Sequence, residues 1–280
     1  MTWLSQRITI SWQITSKVNE FVMNISPIPA FNDNYLWLLQ NDSGHAFVVD
    51  PGDAEPVIAR LAADGLVLDG ILVTHHHGDH VGGVVRLLDA FPGIPVYGSA
   101  QSDADCVSHP LREGDTVTVL GSTATVLEVP GHTLDHIAYF FAEAGDGLPA
   151  LFCGDTLFVG GCGRVFEGTA AMMHASLTKL STLPGQTRVF CAHEYTMANM
   201  AFANAVEPNN QALQAHRRAC ADKRETNIPT VPSTIAVENA TNPFLRCAEP
   251  EVISAAETRD AAGSDPVSVF AAIRGWKDQF

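Results

Sequence analysis

The chain has 280 residues, of which 46% are hydrophobic and 17% are charged. These proportions are typical of a folded globular protein and exclude a wholly disordered chain, and the length allows one large domain or two. The formal net charge of −15 argues against nucleic-acid binding through a broad basic surface, but it is compatible with a small basic pocket for an anionic ligand.

Cysteine usage and hydropathy predict a cytoplasmic protein. Six scattered cysteines without CxxC spacing indicate reduced thiols. No run of 18 apolar residues appears, so we predict no membrane span. The first 22 residues lack a continuous apolar segment and a cleavage site, which argues against a secretory signal. Strand-like patterning begins only after Met23, so we expect residues 1–22 to be a disordered extension or the product of an upstream start codon.

Short apolar strands, turns and helices alternate up to about residue 193. A hairpin is predicted at Tyr35–Leu39 and Ala46–Val49, on either side of the turn sequence Asn41-Asp42-Ser43-Gly44. The other predicted strands are Ile71–Val73, Pro95–Tyr97, Thr116–Leu120, Ala124–Val129, Ile137–Phe141, Ala150–Cys153 and Arg188–Cys191, and the predicted helices are Ala54–Ala63, Val81–Leu88 and Ala170–Leu183. This mixture predicts an α/β domain over residues 23–193, with sheets packed together and covered by helices.

The pattern becomes mainly helical near Glu194. The predicted helices are Tyr195–Val206, Asn209–Glu225, Pro250–Ala262 and Pro266–Trp276, of which the last two begin at prolines. A proline-punctuated link, Ile228–Thr234, separates the two pairs. We therefore predict a second, helical unit over residues 194–280.

The most informative segment is Thr74-His75-His76-His77-Gly78-Asp79-His80. It follows the apolar run Gly70–Val73 and precedes a predicted helix, so its side chains lie on a strand-to-helix loop. Imidazole and carboxylate groups are ligands for zinc and iron, and a buried core would be destabilised by so many polar groups. The segment therefore predicts a metal site, and the alternative is a histidine-rich surface loop.

Three later residues offer further donors at the ends of predicted strands. His132 follows Ala124–Val129, Asp155 follows Ala150–Cys153, and His193 follows Arg188–Cys191. Each is a weak signal alone, but their joint occurrence after the histidine-rich loop is specific, because sites are usually assembled on loops at strand ends. His76 alternates away from its neighbours and is the predicted non-ligand, with a supporting contact as its alternative role. The remaining histidines are interpreted as surface or packing residues: His45, His109, His136, His174 and His216.

These donors resemble the full ligand set of the metallo-β-lactamase superfamily. The resemblance implies an αββα sandwich with two metal ions at one sheet edge. One ion would be held by His75, His77 and His132, the other by Asp79, His80 and His193, and Asp155 would bridge them. The resemblance implies zinc, with iron or manganese as alternatives.

Further motifs are similar to those of the glyoxalase II family, the hydroxyacylglutathione hydrolases. They are Phe31–Tyr35, Gly154–Arg164, Phe166–Thr169, His193–Thr196, Asn242–Arg246 and the terminal Arg274-x-x-Lys277-Asp278. The resemblance runs from about Met23 to the C-terminus and includes the helical unit, which most members of the superfamily lack.

The family resemblance implies roles for residues around the substrate. Arg274 and Lys277 would contact the glycine carboxylate of glutathione, Tyr195 would hydrogen-bond the peptide, and Arg164 would lie near the γ-glutamyl or cysteinyl part. Without the resemblance, Arg274 and Lys277 would be interpreted as a solvated helix face. Phe166 stands where some members carry tyrosine, which removes one hydrogen bond to the substrate.

The implied activity is hydrolysis of S-D-lactoylglutathione and other 2-hydroxyacylglutathiones by a monomeric, two-metal enzyme, the second step in removing methylglyoxal. Asp79 and Asp155 are the predicted catalytic residues, with water attacking directly and no covalent enzyme intermediate. Other members of the superfamily, such as a persulfide dioxygenase or a lactonase, are the alternatives among enzymes. A nuclease is disfavoured by the acidic charge, and a catalytically silent metal-binding or scaffolding protein is disfavoured by the intact donor set.

Overall fold

A computed structural model describes residues 23–259 and 261–280, so the expectation for residues 1–22 lies outside the described residues. The strands are β1 (Asn24–Ala30), β2 (Asn34–Gln40), β3 (His45–Val49), β4 (Val67–Leu72), β5 (Val96–Ser99), β6 (His109–Leu111), β7 (Thr116–Val119), β8 (Ser122–Glu128), β9 (Ile137–Phe141), β10 (Ala150–Gly154), β11 (Leu157–Phe158), β12 (Gly161–Cys162), β13 (Arg188–Cys191) and β14 (Ser233–Thr234). The helices are α1 (Ala54–Asp64), α2 (Gly78–Val81), α3 (Val84–Ala90), α4 (Ala170–Ser181), α5 (Thr196–Val206), α6 (Gln211–Glu225), α7 (Ile235–Thr241), α8 (Pro250–Glu257) and α9 (Pro266–Lys277).

Two six-stranded sheets form the body of the fold. Their strand orders are β1-β2-β3-β4-β5-β6 and β14-β13-β10-β9-β8-β7, while β11 and β12 form a separate hairpin. Strand β2 shows how the layers arise, because successive side chains point to opposite faces of a sheet. Trp37 and Leu39 pack into the core shared by the two sheets, whereas Leu36 and Leu38 pack against the helices that cover the first sheet. The predicted αββα sandwich with a C-terminal helical region is thereby confirmed.

The helical region covers the second sheet and is continuous with the inter-sheet core. Leu177 of α4, Phe202 of α5 and Phe270 of α9 are fully buried in the same apolar cluster as Phe152 of β10. Helix α9 packs against both α4 and α8. Arg274, in the last turn of α9, donates to the carbonyl of Cys162 in β12, so the end of this helix lies beside the β11–β12 hairpin.

Three loops that carry candidate donors leave the same edge of the second sheet. Strand β13 is parallel to β10, and β8 is antiparallel to β9, which is antiparallel to β10. The carboxyl ends of β8, β10 and β13 therefore face one way. The two sheets are joined at this edge, since Tyr35 N–H donates to the carbonyl of Ala192 at 2.7 Å and Glu194 N–H donates to that of Asp33 at 2.9 Å.

Most predicted elements are present, and three differ for local reasons. The helix expected at Val81–Leu88 is divided at Gly82 and Gly83, because Gly83 N–H donates to the Pro51 carbonyl at 2.9 Å and not to the preceding helical turn. Helix α8 ends at Glu257, not at Ala262. Its buried residues, Val252 and Ala256, both lie within this shorter helix.

The third difference lies in the expected link Ile228–Thr234. Its last two residues form β14, which pairs with β13, and α7 begins directly after them. The Thr234 hydroxyl accepts a hydrogen bond from Val237 N–H and so caps that helix.

Among the described residues, no helix combines the length and apolar character needed to cross a membrane.

Candidate metal centre and adjoining pocket

The histidine-rich loop is fixed where it leaves β4. The carboxylate of Asp50, at the end of β3, accepts hydrogen bonds from the backbone N–H and the hydroxyl of Thr74, both at 2.7 Å. Asp50 adopts a φ of 51°, an uncommon conformation for a non-glycine residue. Since Thr74 immediately precedes His75, this buried pair sets the starting point of the donor loop.

Three imidazoles form the first donor cluster. His75 Nε2 and His132 Nε2 each lie 3.1 Å from His77 Nδ1. Burial lowers the pKa of all three rings, most strongly for fully buried His75. Neutral imidazoles with converging nitrogen atoms are the state in which histidine binds a metal ion.

The second donor cluster combines one carboxylate with two imidazoles. Asp79 Oδ2 lies 3.4 Å from His193 Nε2 and 3.6 Å from His80 Nε2. Burial opposes charge on His193, but the neighbouring carboxylates of Asp155 and Asp79 outweigh that effect and raise its pKa to about 10. The hydrogen bond from His193 in turn holds the pKa of Asp79 below its usual value.

Asp155 lies between the two clusters. Its Oδ2 is 3.5 Å from His132 Nε2 in the first cluster, while its Oδ1 is 3.5 Å from His80 Nε2 and 3.3 Å from His193 Nε2 in the second. One carboxylate therefore faces donors of both clusters. The structure thus brings together all seven predicted donors: His75, His77, Asp79, His80, His132, Asp155 and His193.

The buried atoms of this centre fit a metal ion. Among the described residues, His80 Nε2 and Asp155 Oδ1 have no hydrogen-bond partner although both are buried. Leaving such atoms unpaired is costly, and metal coordination would satisfy them. Imidazole and carboxylate donors without thiolate suit zinc, iron and manganese.

Neighbouring residues orient several donors. Asn34 Nδ2 donates to Asp79 Oδ2 at 3.1 Å, and Asp33 Oδ1 lies 2.9 Å from His193 Nδ1. Both follow Phe31, which adopts a φ of 51° in the turn between β1 and β2. Sequence reasoning noted this segment as a motif but assigned it no role at the metal centre.

Two other histidines support the centre. His136 is buried, stacks on His75 at 4.5 Å between ring centroids, and accepts a hydrogen bond from Asp155 N–H at 3.1 Å. Of the two roles that the sequence leaves open for His136, surface or packing, the structure shows packing, and no local motif reveals the contact with Asp155. His76 lies outside the two main clusters, with its Nδ1 2.9 Å from Asp135 Oδ1.

A cavity of about 470 Å³ adjoins the metal centre. His132 and Asp155 line it together with all four predicted substrate-binding residues, namely Arg164, Tyr195, Arg274 and Lys277. Its size falls within the usual range for small-molecule sites. The donors and the cationic side chains thus belong to one continuous site, within a protein whose overall charge is acidic.

The cationic wall of this cavity is partly engaged with the protein itself. Arg274 is 7% exposed, and its guanidinium donates to the Cys162 carbonyl at 2.9 Å and to Asp278 Oδ1 at 3.0 Å. Arg164 Nε is 3.6 Å from the same Asp278 oxygen. Lys277 Nζ lies over the rings of Phe202 and Phe280, at 5.3 Å and 5.7 Å from their centroids.

Aromatic rings form the rest of the wall near the donors. The ring of Tyr195 stacks on His193 at 4.6 Å with an interplanar angle of 5°. Phe166 is 63% exposed and meets the rings of His132 and His77 edge-on at 5.3 Å and 5.9 Å. These rings present apolar surface beside the donors.

Comparison with known proteins assigns each of the two parts of the chain to a protein family. Residues 31–193 match the model of the metallo-β-lactamase superfamily, and residues 194–280 match that of the hydroxyacylglutathione hydrolase C-terminus. The hydroxyacylglutathione hydrolase of Hahella chejuensis is 51% identical over 91% of this chain and 99% of its own length. That of Cupriavidus taiwanensis is 52% identical over 92% of this chain and its entire length.

Solved structures agree with the fold. ETHE1 from Myxococcus xanthus superposes with a TM-score of 0.61 at 25% identity, over 91% of this chain and 98% of its own. TTHA1623, described in a di-iron-bound form, gives a TM-score of 0.56 at 27% identity, over 79% and 100%. From its sequence and its fold, the chain belongs to the hydroxyacylglutathione hydrolase family within the metallo-β-lactamase superfamily.

Proposed function

We propose that this protein hydrolyses S-D-lactoylglutathione and related 2-hydroxyacylglutathiones to glutathione and the 2-hydroxy acid. The observation that carries the proposal is the continuity of the site, since His132 and Asp155 line the same cavity as Arg164, Arg274 and Lys277. A glutathione thioester has the matching chemistry, because it carries carboxylates for a cationic wall and a thioester for a metal centre.

Two divalent metal ions per chain are proposed, with zinc favoured and iron or manganese as alternatives. One would be held by His75, His77 and His132, the other by Asp79, His80 and His193, with Asp155 shared between them. When bound, such a pair supplies Lewis-acid polarisation of the thioester carbonyl and a water acidic enough to react near neutral pH. The di-iron form of TTHA1623 supports iron as an alternative to zinc.

The chain's own residues prepare the reaction. Because the pKa of Asp79 is lowered, its carboxylate stays ionised at neutral pH and can accept a hydrogen bond from the attacking water. Asn34 and His193 hold Asp79 Oδ2 and so orient that acceptor. Attack by the water forms a carbon–oxygen bond at the thioester carbonyl as the water loses a proton to solvent, and the carbon–sulfur bond then breaks. The thiolate of glutathione is a good leaving group, so no strong general acid is required.

The cationic wall positions the substrate remote from the reacting carbonyl. In this proposal Arg274 and Lys277 contact the glycine carboxylate, Arg164 lies near the γ-glutamyl or cysteinyl part, and Tyr195 hydrogen-bonds the peptide. All four line the cavity, and Lys277 and Arg164 keep their charged groups partly exposed. Phe166 cannot supply the hydrogen bond that a tyrosine would.

The organisation of the chain supports three further parts of the proposal. Residues 23–193 would act as the catalytic domain and 194–280 as the glutathione-binding domain. Because donors and cations come from one chain, we infer that the active form is a monomer. The free cysteines, of which five are buried, support a reducing, cytoplasmic location.

The proposal is tested by measuring hydrolysis of S-D-lactoylglutathione through the loss of thioester absorbance. The metal content is determined on the same sample. We expect rapid turnover at about two metal ions per chain. A loaded metal centre without thioesterase activity would overturn the substrate assignment and leave only the fold. Persulfide oxidation would then be assayed, and a single iron per chain would favour that alternative.

A further inference from the structure

A short hairpin connects the metal centre to the pocket wall. Asp155 precedes strand β11, and Arg164 follows strand β12. At the far end, the Arg164 carbonyl lies 2.8 Å from His132 Nδ1 and accepts its hydrogen bond. The hairpin also contributes Phe158 and Cys162 to the cavity. Its path therefore affects both the donors and the surface that a substrate would contact.

Each strand of this hairpin has only two residues and cannot define a shape alone. Its backbone is instead bound by side chains from the helical region. Asn242 Nδ2 donates to the carbonyls of Phe158 and Gly161, at 3.2 Å and 2.9 Å. Glu238 Oε2 accepts from Gly160 N–H at 2.8 Å and from Asn242 Nδ2 at 3.1 Å.

Glu238 occupies an unusual environment for a carboxylate. It is fully buried on α7, and its other oxygen accepts a hydrogen bond from the Ser233 hydroxyl. No lysine or arginine among the described residues forms an ion pair with it. A buried charge without a counter-ion is costly, and an apolar side chain would fill the space without that cost. Three hydrogen-bond donors stabilise Glu238 in this position. One is the Ser233 hydroxyl, one is Gly160 N–H in the hairpin, and one is Asn242 Nδ2, which itself binds the hairpin.

We propose that Glu238 and Asn242 are positioning residues that set the shape of the substrate pocket through the β11–β12 hairpin. Asn199, whose Nδ2 donates to the Val159 carbonyl at 3.2 Å, and Arg274, bound to the Cys162 carbonyl, complete the set. The helical region thus acts on the reaction in two ways, by contacting the substrate and by holding the wall that the catalytic region presents to it. This inference rests on the proposed function.

The test compares two substitutions at one position. Glu238→Gln keeps an oxygen for Gly160 N–H and Asn242, and its new amide can donate to the Ser233 hydroxyl. Glu238→Leu fills the space but leaves those donors unpaired. We expect the leucine variant, at unchanged metal content, to raise the KM for S-D-lactoylglutathione about tenfold and to weaken binding of the thioether S-propylglutathione equally. The glutamine variant should stay within about twofold of wild type in both measurements.

A second variant and a matched control keep the test decisive. Asn242→Ser retains a hydroxyl to cap Phe244 N–H but is too short to reach both hairpin carbonyls, so it should reproduce the KM effect if the leucine variant does not fold. Asn239→Ala, on the same helix, removes a bond to the Ser181 carbonyl remote from the hairpin and should change thermal stability alone.

The outcomes separate the inference from the proposed function. If the Glu238→Leu and Asn242→Ser variants lose thermal stability but keep the wild-type KM and thioether affinity, the network is merely structural and the inference is wrong. A wild-type protein that neither hydrolyses the thioester nor binds the thioether would overturn both. If the wild-type protein binds the thioether without hydrolysing the thioester, the thioether affinities of the variants alone test whether Glu238 and Asn242 position the hairpin.

Discussion

The sheet edge and the helical region each build one side of the same cavity, but they hold their functional side chains differently. At the sheet edge, donors such as His132, Asp155 and His193 stand just beyond strand ends, and the backbone of the sheets fixes their positions. In the helical region, Arg274 and Lys277 lie in the last turn of α9 and are held by side-chain contacts. The difference indicates that changes at the edge will affect metal binding and kcat, whereas changes in the helices will affect KM.

The largest effect is expected from Asp155→Ala. This carboxylate faces both donor clusters, so its loss should empty the metal centre and lower kcat by at least about 10²-fold, as expected when several kcal/mol of transition-state stabilisation are removed. Metal analysis and thioester assays on the same sample measure both effects. Retained turnover would contradict the two-metal interpretation and the separation of roles.

A smaller effect at the same edge is expected from Asn34→Ala. The hydrogen bond to Asp79 orients a donor of the second cluster only, and loss of such a contact typically costs about 10–100-fold in metal affinity or activity. Competition with a chromophoric chelator should show one weakened metal ion per chain and one unchanged. Equal weakening of both ions would mean that the clusters are not independent.

In the helical region, Lys277→Ala should raise KM about tenfold with kcat and metal content unchanged, since it removes a contact remote from the reacting carbonyl. Lys223→Ala is the matched control, because Lys223 is an exposed lysine of α6 outside the cavity. Steady-state kinetics over a range of S-D-lactoylglutathione concentrations separates the two parameters. An unchanged KM would show that the terminal helix does not bind the substrate.

The smallest effect concerns stability and pH at Glu238. Burial raises the pKa of this carboxyl above its usual value, so ionising it costs the folded state stability as the pH rises through that range. Glu238→Gln carries no such cost, and its thermal stability relative to wild type should therefore increase between pH 5 and pH 8, by about 1 kcal/mol or less in unfolding free energy. Thermal unfolding at both pH values, with metal content matched, measures the difference. A constant difference would mean that Glu238 does not titrate differently in the folded state.

The two regions also differ in how far the sequence alone predicts them. The donors could be found because four of them are concentrated in one histidine-rich segment and the other three are a histidine or aspartate in a loop after an apolar strand, and all seven converge in the structure. The supporting contacts could not, since Asp50 with Thr74 and His136 with Asp155 depend on which strands become neighbours. Such pairings are set by long-range register, which local patterns do not contain.

In the helical region, the sequence predicted most helices but not what their side chains do. Helix α7 was missed because its seven residues follow a proline-rich segment, and with it the role of Glu238. Arg274 was expected as a substrate contact, yet its burial and its bond to the Cys162 carbonyl also give it a place in the hairpin's support. A helical pattern shows which face is apolar, but not which polar residue on that face will meet a backbone carbonyl from another part of the chain.

Asp278 lies between Arg274 and Arg164, so one of the three positive charges of the cationic wall is already balanced in the free protein. Under the proposed function, a glutathione carboxylate that binds there exchanges one ion pair for another instead of neutralising an isolated charge. The free energy of binding is then the difference between two similar ion pairs. Such an exchange favours selectivity for carboxylates but does not favour long retention of the bound molecule. As the product departs, Asp278 recovers its own partners, and this exchange would speed the release of glutathione at the end of each cycle.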